Sequence, residues 1–165
     1  MKKIFTLLVA VLVAATTVSA KDYKHSLGLV GGIGIGVQYK TMLTDNFTII
    51  AEMGYSENPD GGTGVGYAGV PIADAVFAYQ TKPLAEGQGI KLGVYAGGQV
   101  KLGYVLGDAG VFGFGGAAGI EANMTNAPIA FSFDFRPGYA FMFVDGWAGA
   151  HMFDYSFNLG VRYTF

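Results

Sequence analysis

The sequence predicts an all-β fold, an eight-stranded antiparallel transmembrane β-barrel. Three observations carry that prediction: strand-like alternation repeated along most of the chain, a composition that suits lipid, and a last segment that ends on an aromatic residue. Charged residues make up only 13% of the 165 residues, against about 25% in an average globular domain, while there are 27 Gly and aromatics reach 15%. After residue 20 no run approaches the roughly 20 apolar residues that a membrane helix needs. A closed barrel is then the remaining way to span a bilayer, because it pairs every backbone group between strands and leaves no edge. A soluble two-sheet sandwich would share the alternation, but the Phe-rich and Gly-rich balance and the terminal aromatic weigh against it.

Residues 1–20 read as a cleaved signal peptide and residues 21–165 as the barrel domain. Lys2 and Lys3 form a positive start, Ile4 to Ala15 an apolar stretch too short to span a bilayer, and Val18-Ser19-Ala20 a small-residue cleavage site. The chain has 10 Lys plus Arg and 12 Asp plus Glu, so losing Lys2 and Lys3 leaves eight bases against twelve acids, a net charge of −4. That mildly acidic balance offers no footprint for nucleic acid. The absence of Cys from an exported chain rules out a disulfide-stapled fold.

Each expected strand shows the period of two that places alternate side chains on opposite faces. A first strand is expected at about Tyr23 to Val30, a tight turn at Gly31-Gly32, and a second strand to Lys40, with Leu27, Leu29, Ile33, Ile35, Val37 and Tyr39 opposite Ser26, Gly28, Gly34, Gly36 and Gln38. Phe47, Ile49, Ala51, Met53 and Tyr55 then oppose Thr48, Glu52, Gly54 and Ser56. Phe77 and Tyr79 oppose Asp74, Gln80 and Lys82. Leu92, Val94, Ala96, Val100, Leu102 and Tyr104 oppose Lys91, Gln99 and Lys101. Phe112, Phe114, Ala118, Ile120 and Met124 oppose Gly113, Gly115, Gly119, Glu121 and Asn123. Phe131, Phe133 and Phe135 oppose Ala130, Ser132, Asp134 and Arg136. The closing strand, expected from about Met152, has Phe153, Tyr155 and Phe157 on one face and Asp154, Ser156 and Asn158 on the other. Splitting the first segment makes the count eight, the even number usual in single-chain bacterial barrels.

The connectors are of two kinds. Short turns are expected at Thr44 to Asn46, Pro83 to Gln88 and Thr125 to Pro128. More open loops are expected at Glu57 to Pro71, Gly107 to Gly110 and Val144 to Ala150, the last carrying Trp147 as a surface anchor residue. Outer-membrane barrels turn tightly on the periplasmic side and carry their longer loops outside.

Three stretches carry a more specific likeness: Val37-Gln38-Tyr39-Lys40 leading into Leu43-Thr44-Asp45-Asn46-Phe47, then Phe131-Ser132-Phe133-Asp134-Phe135-Arg136-Pro137-Gly138-Tyr139, and the terminal Leu159-Gly160-Val161-Arg162-Tyr163-Thr164-Phe165. With them the chain resembles the small outer-membrane β-barrel proteins of the porin-like and opacity-type superfamily of Gram-negative bacteria. The resemblance implies an outer-membrane location and insertion by the barrel assembly machinery, which reads an aromatic final strand, here Tyr163 and Phe165. It implies no transport activity.

The inward faces collect Glu52, Asp74, Glu121, Asp134 and Asp154 against Lys40, Lys82, Lys91, Lys101, Arg136 and Arg162. An eight-stranded interior is just wide enough for side chains to fill, and buried charges persist only when paired. A lumen plugged by a charge network of Glu52, Lys101, Glu121, Asp134, Arg136 and Arg162 is therefore expected rather than a pore, with a narrow water file through the free volume beside the many inward glycines as the open alternative.

Catalytic patterns are weak. In His151 with Ser156 and His25 with Ser26, the spacings put the two residues on opposite faces of a strand, so they cannot meet. Two His and no Cys offer no metal site. Gly64 to Gly69 and Gly113 to Ala118 match a dinucleotide glycine spacing but lie in no βαβ unit. No cofactor is expected. The leading reading is a structural or interaction barrel, a monomer, whose loops contact outer-membrane lipids, lipopolysaccharide or an external ligand. A small-solute channel is the alternative, and a lipid-modifying enzyme the third.

Overall fold

The computed structural model describes residues 23–32, 34–56, 70–105, 109–144 and 147–165, so the expected signal peptide lies outside the described residues, as do Ile33 and Gly64 to Gly69. Among the described residues nine strands run in chain order: β1 His25–Gly31, β2 Gly34–Met42, β3 Phe47–Ser56, β4 Val70–Gln80, β5 Ala85–Gly87, β6 Ile90–Val105, β7 Ala109–Met124, β8 Ile129–Val144 and β9 Trp147–Thr164. All pairings are antiparallel; β1 pairs with β9, and β4 pairs with β6 across β5. The sheet thus closes into an eight-stranded barrel. β5 stands apart as a three-residue strand folded back onto the start of β6. Gln88 and Gly89 at its turn both have positive φ, 50° and 85°, the signature of a two-residue type I′ hairpin.

The expected faces hold in the described strands. Leu29, Ile35, Met53, Phe77, Leu102, Phe133 and Leu159 are exposed on the outer wall, whereas Gln38, Lys40, Glu121, Asp134, Arg136 and Arg162 are buried inside. Along β8 and β9 the outer face is covered by rings: Phe157 stacks on Phe135 at 4.8 Å and on Phe133 at 6.1 Å.

Inward glycines are less a source of free space than a means of turning corners. A Cβ added at Gly28 would collide with the backbone of Val161 on β9. The same holds for Gly36 with Met53 on β3, for Gly97 with Phe77 on β4, and for Gly115 with Pro137 on β8. These contacts fall on every second seam around the barrel, β1/β9, β2/β3, β4/β6 and β7/β8, where adjacent backbones fold too close for any side chain. Other inward glycines make room for a neighbour. The space beside Gly119 is taken by the Tyr95 ring, and that beside Gly160 by Ser132 and Gln38.

The wall is uneven. β1 and β2 have 7 and 9 residues, whereas β6 to β8 have 16 each and β9 has 18.

Several boundaries differ from expectation. Val70 and Pro71 open β4, which leaves 57–69 between β3 and β4, outside the described residues. Ala109 already belongs to β7. Val144 and Trp147 pair across the β8/β9 hairpin, so Trp147 begins the last strand rather than standing in a loop; its side chain lies outside what is described. A change in β8/β9 register between Phe141 and Phe143 is the bulge that lets pairing run on through this Gly-rich stretch. Gly113 to Ala118 lie within β7.

Candidate functional site in the barrel lumen

The inward charges gather around two centres. On β8, Asp134 and Arg136 are two residues apart and so share the inner face, which lets the Arg136 Nε donate to Asp134 Oδ1 at 2.7 Å. The same guanidinium reaches across the barrel: Nη1 donates to Glu52 Oε2 at 2.8 Å and to Asp74 Oδ1 at 3.0 Å, and Nη2 donates to Glu52 Oε1 at 2.5 Å. Glu52 and Asp74 sit side by side because β3 and β4 pair them in register, and Lys101 stands opposite Asp74 on β6. A planar fork of five donors can serve three carboxylates at once, which a lysine could not. Tyr95 Oη donates to Asp134 Oδ2 at 2.6 Å, and Asn158 Nδ2 donates to Asp134 Oδ1 at 3.0 Å.

The second centre is Glu121 on β7, fully buried. Lys40 Nζ donates to its two oxygens at 2.9 and 2.7 Å, Arg162 Nη2 also donates to it, and Gln80 and Asn123 each donate at 3.1 Å. Lys40 gives a further hydrogen bond to Gln80 Oε1 at 2.6 Å and lies between two aromatic faces, 5.9 Å from the Tyr23 centroid and 5.7 Å from that of Tyr95. Tyr23, which precedes β1, donates its hydroxyl to Glu121 from 98 residues away. Burial pushes that hydroxyl far above the ordinary tyrosine range, with the Glu121 carboxylate adding to the shift, so it stays a donor.

Gln38 joins the two centres: its amide nitrogen donates to Glu52 and its oxygen accepts from Arg162 Nη1. The result is one continuous polar network across the lumen. Apolar packing fills space beside it, with Ile50, Val76, Ala78, Tyr95 and Ala117 in one cluster and Val111 and Ala140, packed by Ile72 and Met142, in another.

Of the network residues expected from sequence, Glu52, Asp134 and Arg136 meet at one centre and Glu121 and Arg162 at the other, while Lys101 enters through its place opposite Asp74. Lys82 is exposed after the end of β4, and Lys91 pairs with Glu86 at 3.4 Å at the rim. Both are removed from the expected lumen set, because their strands have reached the barrel end. The Asp154 side chain lies outside what is described. Tyr95 and Tyr23 were missed. Tyr95 was detectable as an aromatic at an odd, inward position of β6; Tyr23, outside any strand, carried no periodic cue.

At the seam, Phe165 exchanges backbone hydrogen bonds with His25 at 3.0 and 2.9 Å, and its ring lies 5.8 Å from the His25 ring and 6.0 Å from that of Tyr163. His25 Nδ1 lies 2.9 Å from the Tyr39 hydroxyl and 3.1 Å from Thr41 Oγ1, while Ser26 points into the lumen, so the two face opposite ways. His151 is on β9, its side chain outside what is described. No family model, curated protein or solved structure matches the chain. The geometry itself defines the class: a closed eight-stranded antiparallel β-barrel with a charged, side-chain-filled interior.

Proposed function

We propose that this chain is a small outer-membrane β-barrel of the porin-like and opacity-type kind, exported through a cleaved signal peptide, with a plugged lumen. Its work is structural or interactive, done through its wall and its outer rim, with outer-membrane lipids, lipopolysaccharide or an external ligand as partners. The observation that carries this reading is Arg136, which is buried and bonded at once to Glu52, Asp74 and Asp134 from three strands. A cation tied across the bore in this way supports a plugged lumen, and its ion pairs with Glu52, Asp74 and Asp134 give it partners within the barrel. The outer face supports the membrane part of the reading, since exposed Leu29, Met53, Phe77, Leu102, Phe133 and Leu159 would form a large apolar patch in water.

Planar-bilayer recording of the refolded protein tests the plug. Negligible steady conductance is expected; large, stable current steps would favour the small-solute channel. Lipid A mass spectra from cells with and without the protein should be identical, and a changed acylation pattern would favour a lipid-modifying enzyme. The seam bears on assembly: Phe165 and Tyr163 supply the aromatic end of the strand that closes the barrel against β1, so deleting Phe165 should lower the heat-modifiable, membrane-inserted fraction in cells.

A further inference from the structure

We propose that Tyr23 is a movable stopper in the mouth of the bore at the Phe165 end, a second barrier in series with the Arg136 tie. The proposal rests on the plugged-lumen reading above and adds a moving part to it.

This mouth is sealed where the strands by themselves would leave it open. Ser26 is the second residue of β1, Thr48 the second of β3 and Thr164 the last of β9, while Lys40 lies two residues before the end of β2. Polar side chains so near strand ends should meet water, yet all four are buried, Ser26 and Lys40 completely. Tyr23 supplies cover. The β1/β2 ladder has a last rung where Lys24 O accepts from Met42 N at 2.8 Å. Continued alternation would put Tyr23 on the outer face, because Ser26 points inward. The chain instead bends at Lys24 and carries the Tyr23 side chain beneath the barrel, where its ring lies 5.9 Å from Lys40 Nζ and its hydroxyl donates to Glu121.

The hold on this stopper is light. Tyr23 precedes β1, and its fastenings to Glu121 and Lys40 are one hydrogen bond and one ring face. Chain ends held in this way open locally while the rest stays folded. The ion pairs above it do not depend on the ring: Lys40 and Arg162 keep Glu121, and Arg136 keeps its three carboxylates on β3, β4 and β8. Tyr23 can therefore swing out of a closed, intact barrel. What it uncovers is a chamber with two cations for one carboxylate, which favours an incoming anion.

Thiol labelling tests the proposal, since the chain has no Cys of its own. Ser26→Cys, inward at this mouth, is made in the refolded barrel and treated with a sulfonate-bearing methanethiosulfonate; the labelling rate follows the open population when opening and closing are fast. With Tyr23 in place labelling should be slow. Tyr23→Phe, which loses the hydroxyl bond, should speed it about fivefold, and Tyr23→Ala, which also loses the ring over Lys40, about thirtyfold. Ala140→Cys, buried and paired with Met152 far from this mouth, should stay protected in every background. Ser26→Cys labelling that ignores both changes at Tyr23, or Ala140→Cys labelling that rises in step with it, overturns the stopper. In planar bilayers Tyr23→Ala should remain silent, because the Arg136 tie is still in place. Steady current through that variant, with the labelling contrast intact, would overturn the plug at Arg136 and leave the stopper standing.

Discussion

Around Arg136 one cation is shared by three carboxylates, whereas around Glu121 one carboxylate is shared by two cations and three neutral donors. The first centre has an excess of negative charge and the second an excess of positive charge. They lie in one bore, linked through Gln38, and Lys101 opposite Asp74 brings the group to four acids and four bases. The difference teaches where the network is fragile. The Glu121 centre has two cations and three neutral donors on one carboxylate, while Glu52, Asp74 and Asp134 share one guanidinium, backed by the neutral donors Gln38, Tyr95 and Asn158 and by Lys101 opposite Asp74. Buried ion pairs add little over apolar packing when intact but cost a great deal when one partner is removed.

Replacing Arg136 should therefore have the largest effect. Arg136→Ala should cost about 3–5 kcal/mol in urea unfolding of the refolded barrel, and in bilayers it should convert a silent protein into one that flickers open. Arg136→Lys should fall between, since it keeps the charge but loses the fork. A cost no greater than that of Glu121→Gln would break the comparison.

Moving a cation to the outer face comes next. Phe133→Arg, three residues from Arg136 but directed away from every carboxylate described here, should cost about 2–4 kcal/mol at the midplane, while inward Ser132→Asn should be nearly silent in the same assay. Equal sensitivity at both positions would mean that the faces are wrongly assigned.

Glu121→Gln should cost about 1.5–3 kcal/mol, the worth of hydrogen bonds to a charged group, because the amide keeps an acceptor for Tyr23 and Gln80 while Lys40 and Arg162 lose their counter-charge. Its unfolding midpoint should remain above that of Arg136→Ala. Tyr23→Phe should have the smallest effect, about 1 kcal/mol for one hydrogen bond, since the ring beside Lys40 is retained. An effect as large as that of Glu121→Gln would mean that the hydroxyl, rather than the cations, anchors this centre.

Much of this was legible in the chain because a strand's period of two is local. Which face each residue takes follows from its neighbours in sequence, so Glu52, Glu121, Asp134, Arg136 and Arg162 could be placed inside before any contact was known. Trp147 was not legible, since Gly- and Asp-rich sequence resembles a loop, and only pairing of β8 with β9 through a bulge extends the strand to it. The short β5 hairpin was hidden for a related reason: Gln88 takes a positive φ that its residue type does not favour.

By itself, then, the sequence determined the all-β fold, the count of barrel strands, the two faces of each strand and the sign of the charges in the bore. The tertiary structure alone decided the partners. Arg136 reaches Glu52 across 84 residues and Tyr23 reaches Glu121 across 98, separations that periodicity does not encode. Closing the sheet also turned glycines that looked like free volume into corners, because how closely two backbones approach depends on the curvature of the whole barrel and on no single strand.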